Sequence, residues 1–141
     1  MNMVSRLVII GIVAVICGCG GDGKYPVSGT VTFNGKPIPD EHIGYVVLTP
    51  VDPAIGPDSG KIEPGGKFSF RAAAGDKRVE IFIDRPKGRT NQVMGAPERE
   101  PYIPKRYNEE TELTATVTRG GPNEFKFEME LKKGDVIAGL K

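Results

Sequence analysis

The chain of 141 residues has no tryptophan, one histidine (His42) and two cysteines (Cys17 and Cys19). A His/Cys zinc site needs three or four such ligands, and beyond residue 19 the chain offers only His42. A disulfide framework is excluded there for the same reason. An excess of charge of one sign is also missing. From residue 19 onward, 18 Lys and Arg face 18 Asp and Glu, interleaved along the chain. That balance argues against nucleic acid as a partner, because a nucleic-acid binder gathers basic residues on one face. The helical stripe, with apolar residues every three to four positions, is absent after the first twenty residues.

One long apolar run is present, at the start. Arg6 precedes Leu7–Ile16, and Gly18 precedes Cys19. A positive residue, an apolar stretch and a small residue are the parts of a secretory signal peptide. At ~1.5 Å per residue, the dozen or so residues from Leu7 towards Cys19 reach ~18 Å, short of a ~30 Å hydrocarbon core. Ile16-Cys17-Gly18-Cys19 resembles the bacterial lipobox, which ends in a cysteine that is acylated and becomes the new N-terminus. The resemblance implies lipidation at Cys19, with Cys17 leaving in the signal. Two acyl chains suffice for stable membrane attachment. The expected organisation is a signal peptide over 1–18, a lipidated tether over 19–24, one domain over 25–133 and a tail over 134–141. The expected address is a bacterial cell membrane or outer membrane, facing the periplasm or the exterior. Gly20, in place of an aspartate, leans by resemblance to the enterobacterial sorting rule towards the outer membrane.

About 110 residues remain between tether and tail, enough for one core. Nineteen glycines and twelve prolines fall between short apolar runs, as turns between strands do. Val27, Val31 and Phe33 alternate with hydroxyl residues, and Asn34-Gly35 then reads as a type I′ hairpin turn. Tyr45–Thr49 is dense enough to predict a strand buried on both faces. Pro64-Gly65-Gly66 separates two further strands. Val79, Ile81 and Ile83 point inward in Lys77–Asp84, as do Leu113, Ala115 and Val117 in Glu112–Thr118. In Asn123–Leu131, Phe125, Phe127, Met129 and Leu131 alternate with charges, predicting a half-buried strand of an antiparallel sheet. Arg85–Tyr107 reads as a long proline-rich loop, with Tyr102–Tyr107 packing back on the domain. The pattern predicts an all-β fold, a single antiparallel sandwich of about seven strands.

The segment Tyr25-Pro-Val-Ser-Gly-Thr-Val-Thr-Phe-Asn-Gly-Lys-Pro-Ile-Pro39 resembles the start of the carboxypeptidase regulatory-like domain, a transthyretin-like (prealbumin-like) β-sandwich. The likeness continues through Tyr45–Pro50, Gly60–Phe68, Gly75–Ile83, Ile103–Tyr107, Leu113–Val117 and Asn123–Leu131. In carboxypeptidases that domain is an accessory without catalytic residues. The resemblance therefore implies a fold and an address but no reaction. The expectation is a non-catalytic lipoprotein, a binding or structural module of the cell envelope, with an envelope protein and a glycan as candidate partners and the partner itself unidentified.

Candidate chemistry is sparse. His42 follows Pro39-Asp40-Glu41 and reads as a solvated turn histidine; no nucleophile elbow accompanies it. Transthyretin-like hydrolases of hydroxyisourate carry several active-site histidines and a C-terminal Tyr-Arg-Gly-Ser, whereas this chain ends Ile137-Ala-Gly-Leu-Lys141. Fold-related ring-cleaving dioxygenases need paired tyrosines and histidines for iron. Asp52 and Asp58 are too few to supply the six to eight oxygens that calcium takes. Tyr25, Tyr45, Tyr102 and Tyr107 are candidates for a sugar-stacking platform. The expectation is no enzyme, no cofactor and no metal, with a small hydrolase or a carbohydrate-binding lipoprotein as alternatives.

Overall fold

The computed structural model describes residues 21–137; the expected signal peptide, Cys17 and the lipidation residue Cys19 lie outside the described residues. The described chain is all-β. Its strands are β1 (Lys24–Phe33), β2 (Lys36–Pro37), β3 (Ile43–Pro50), β4 (Asp58–Glu63), β5 (Lys67–Ala73), β6 (Gly75–Thr90), β7 (Pro97–Pro101), β8 (Thr114–Val117) and β9 (Glu124–Met129). No helix among the described residues is long and apolar enough to cross a membrane.

All nine strands join one sheet, ordered β2-β1-β5-β4-β3-β6-β7, with β8 on β6 and β9 on β1. The sheet curls at the Pro64–Gly66 turn, where β4 and β5 share two pairs, Ile62 with Phe68 and Glu63 with Lys67. Asn34 and Gly35 carry φ of 51° and 73°; positive φ at both central positions is what a type I′ turn requires. Every ladder but one is antiparallel. β9 runs parallel to β1, from Ser28 opposite Glu124 to Phe33 opposite Met129, whereas the alternation had predicted an antiparallel setting. Alternation reports which face is buried and is blind to strand direction. At Gly29 the two backbones come so close that a Cβ would strike the Phe125 carbonyl oxygen and the Phe68 ring.

A single core gathers Val27, Val31 and Phe33 from β1, Val46 and Leu48 from β3, Val79, Ile81 and Ile83 from β6, and Phe127 and Met129 from β9. The rings of Phe68 and Phe127 stack at 5.9 Å, and those of Phe125 and Phe127 at 6.1 Å. Three expectations are corrected. β3 is buried on one face only, and Tyr45 is 46% exposed on the other, paired with the equally open Phe82. Leu131 lies past the end of β9 and faces solvent. Arg85–Tyr107 is largely a hairpin: β6 runs on to Thr90 and β7 returns against it, from Thr90 opposite Pro97 to Asp84 opposite Pro101. The prolines fit because β3 stops pairing with β6 at Asp84. Pro86 therefore meets no ladder on its open side, a setting in which a strand tolerates proline.

Two poles result. Lys24 pairs with Ala73 and Gly75 with Val117, so the start of β1, the β5–β6 turn and the end of β8 share one pole. There Asp58 is buried, pairing with Lys24 Nζ at 2.6 Å and accepting from Ala73 N at 2.9 Å. The Asn34-Gly35 turn, the β2–β3 loop, the Pro64–Gly66 turn and the β6–β7 hairpin occupy the opposite pole. Ile103, Pro104 and Tyr107 are buried on that side. The Tyr107 hydroxyl accepts from Glu130 N at 2.8 Å and closes the end of β9. The tail begins fastened: Lys105 N donates to Val136 O at 2.9 Å, and Pro104 bridges to Ile137.

Candidate functional site

At the pole away from β1's start, five segments enclose a groove of about 310 Å³. The β2–β3 loop contributes Ile38 to His42, β4 contributes Lys61 to Glu63, and Pro64, Pro86, Pro97 and Arg99 complete it. Ile38 and Ile62 are buried and form its apolar floor. Prolines on three sides give rigid walls, since their φ is already locked.

His42 is the most constrained side chain in the groove. Its backbone N donates to Pro39 O at 3.0 Å, which closes the loop. Its ring stacks on Tyr102, with centroids 4.6 Å apart and an interplanar angle of 18°. Tyr102 in turn meets the edge of Phe33 at 5.0 Å and lies under the Arg85 guanidinium at 5.6 Å. His42 is thus partly buried, and the expected solvated turn histidine is corrected: the hairpin brings Tyr102 over a loop that the sequence places sixty residues earlier. Burial pushes its pKa below the usual 6.5, with Arg85 and Arg99 pushing the same way and Glu41 and the Pro39 carbonyl opposing. Burial thus favours the neutral imidazole. Its Nδ1 is buried with no hydrogen-bond partner among the described residues.

Charges of both signs rim this apolar floor. Arg99 Nη1 donates to the Glu41 carbonyl oxygen at 3.1 Å. The lining also includes Asp40, Glu41, Lys61 and Glu63, and no serine, threonine or cysteine. The groove can recognise charge and shape, and His42 Nδ1 can give or take a hydrogen bond.

The other sequence candidates do not converge here. Asp52 accepts from Ala54 N at 2.9 Å, a local turn bond, while Asp58 serves the opposite pole. No group of three or more metal-capable side chains occurs among the described residues. Tyr45 lies on the outer face, Tyr25 packs at the core margin, Tyr102 covers His42, and Tyr107 holds β9. Sequence reasoning missed Lys61, Glu63, Pro86 and Arg99 as neighbours of His42. No local signal marks them, because strand pairing alone brings them together. A second depression, about 480 Å³, lies along β6 and β8 and includes Lys77 in its lining. No protein-family model, curated protein or solved structure matches this chain.

Proposed function

We propose that this chain is a non-catalytic, lipid-anchored binding module of a bacterial cell envelope. It would be a transthyretin-like sandwich of the carboxypeptidase regulatory-like kind, held through Cys19. On this reading the curled sheet is the sandwich, with β9, β1 and β5 facing β4, β3 and β6. The observation that carries the reading is polarity. Only the short stretch 19–23 separates the expected anchor from β1, and the His42 groove lies at the far end of the same strands. An anchor at one pole thus leaves the groove at the other open to a partner. A lining without a hydroxyl or thiol nucleophile supports recognition over acyl transfer.

Mass spectrometry of the mature N-terminus tests the anchor. The expected species begins at a diacylated Cys19, and Cys19→Ala should leave an uncleaved precursor or release the protein from membranes. An unmodified N-terminus at any other residue would overturn the proposal.

A further inference from the structure

The β6–β7 hairpin carries a feature that the groove does not use. At its apex Val93 is 94% exposed and Met94 79% exposed. Single exposed apolar residues are ordinary on protein surfaces, but two adjacent ones at the apex of a projecting ribbon are not. Nor is the apex loose. Asn91 Oδ1 accepts from Val93 N at 2.9 Å and from Met94 N at 3.1 Å. Gly95 N donates to Asn91 O at 2.8 Å, and Asn91 N donates to Ala96 O at 2.8 Å. The turn therefore holds the backbone of both residues in place, so that burying them orders their side-chain rotamers but not the loop. Behind the apex the ribbon is net positive: Arg85, Lys87, Arg89 and Arg99 stand against Glu98 and Glu100, and these two carboxylates line a shallow depression with Lys87 and Arg89. Arg85 is matched by Glu100 at 2.7 Å, while Lys87 and Arg89 form no ion pair among the described residues and are exposed.

We propose that this apex inserts into the headgroup layer of an anionic lipid surface. Val93 and Met94 enter the acyl boundary, and Lys87 and Arg89 meet the phosphates behind them. Long basic side chains suit that depth, because their stems lie along apolar surface while the charged heads reach outward. Two aliphatic side chains with no aromatic residue in the turn, backed by a net-positive ribbon that includes Lys87, complement an anionic bilayer; the core of a protein interface is instead rich in aromatic residues and depleted of lysine. The insertion is independent of the acyl anchor. If both hold, the domain lies along the membrane with the groove opening beside the bilayer to a partner, since sixteen residues of β6 place the anchored pole and the apex about 50 Å apart at ~3.3 Å per residue.

The absence of tryptophan supplies the probe. The full chain carrying Met94→Trp is reconstituted into phosphatidylcholine vesicles with or without phosphatidylglycerol. In the anionic vesicles its emission should shift to the blue and be quenched by brominated acyl chains. Lys87→Glu with Arg89→Glu should abolish both effects. Phe82→Trp, on the outer face of the sheet, should show neither. Val93→Trp repeats the measurement from the adjacent residue, and thermal melts verify that each variant is folded. Met94→Trp emission unchanged by lipid would overturn the proposal. So would quenching that ignores phosphatidylglycerol and the charge reversals, or a blue shift that appears only when envelope protein is added. The mass of the N-terminus reports on the anchor separately, so failure of either idea is read without the other.

Discussion

At the scale of single residues, a lysine occupies a core position. Lys77 belongs to the inward-facing series of β6 with Val79, Ile81 and Ile83, and it is 1% exposed. Its Nζ has no hydrogen-bond partner among the described residues. Burying such a group without a partner costs about 1–3 kcal/mol. Lys77→Met keeps the length and removes the amine, so it should stabilise the domain by about 1–3 kcal/mol in urea melts. Lys77→Ala should fall below Lys77→Met, because it leaves a cavity. A Lys77→Met protein weaker than the parent would mean that the amine is satisfied after all. His42 gives a second test, with a definite sign. Its folded-state pKa is depressed by burial, so protons bind the unfolded chain first as pH falls. The contribution is fully present above the ordinary value of 6.5 and is lost as pH falls below it towards the folded-state pKa. Urea midpoints at about pH 7.5 and 5.5 should therefore converge in His42→Gln relative to the parent. An identical pH dependence in the two proteins would show that the imidazole is not buried as described. The histidine was visible in the sequence as a lone titratable group. Its orphaned nitrogen was not, because Tyr102 and Arg99 reach it only through the hairpin.

Among the strands, β9 makes the sharpest contrast. Phe127 is buried between the Phe68 and Phe125 rings, while Lys126, one position away, faces water. Phe127→Ala should cost about 3–5 kcal/mol, and Lys126→Ala under about 0.5 kcal/mol. Equal losses in denaturant melts would mean that the strand is slipped by one residue, which exchanges its faces. The alternating runs in β1, β6 and β9 were legible because a period of two survives wherever one face is wet. The Asn34-Gly35 and Pro64–Gly66 turns were legible because their chemistry is local. Three features were hidden for physical reasons. Prolines suggested a loop at 85–107, yet a strand with one open side accepts them. Lys77 shares the parity of Val79, Ile81 and Ile83, but a lysine gives no local sign that its amine is enclosed. The direction of β9 depends on where the chain returns after Gly120-Gly121-Pro122, and alternation carries no such information.

For the molecule as a whole, the β6–β7 ribbon projects furthest from the core pairing. Lys87 and Arg89 are exposed there, whereas Lys105 and Arg106 are half-buried next to Tyr107. Local opening and cleavage begin where few contacts resist them. Brief trypsin treatment followed by mass spectrometry should yield first cuts after Lys87 or Arg89 and spare Lys105 and Arg106. Early cleavage at the latter pair would mean that 102–107 does not pack back on the sheet. Closure of the domain also joins distant ends of the chain, since β1 cannot be completed until β9 has been made. Such non-local pairing places its refolding in the slow, millisecond-to-second class. The same strand has a mechanical role. β1 is gripped on one flank by seven residue pairs with β5 and on the other by six with β9. Tension between the Lys24 end and the far pole runs along these strands, so the ladder bonds are strained together, in shear. They cannot be peeled apart one at a time, and a tug on the leading end is borne by both flanks at once.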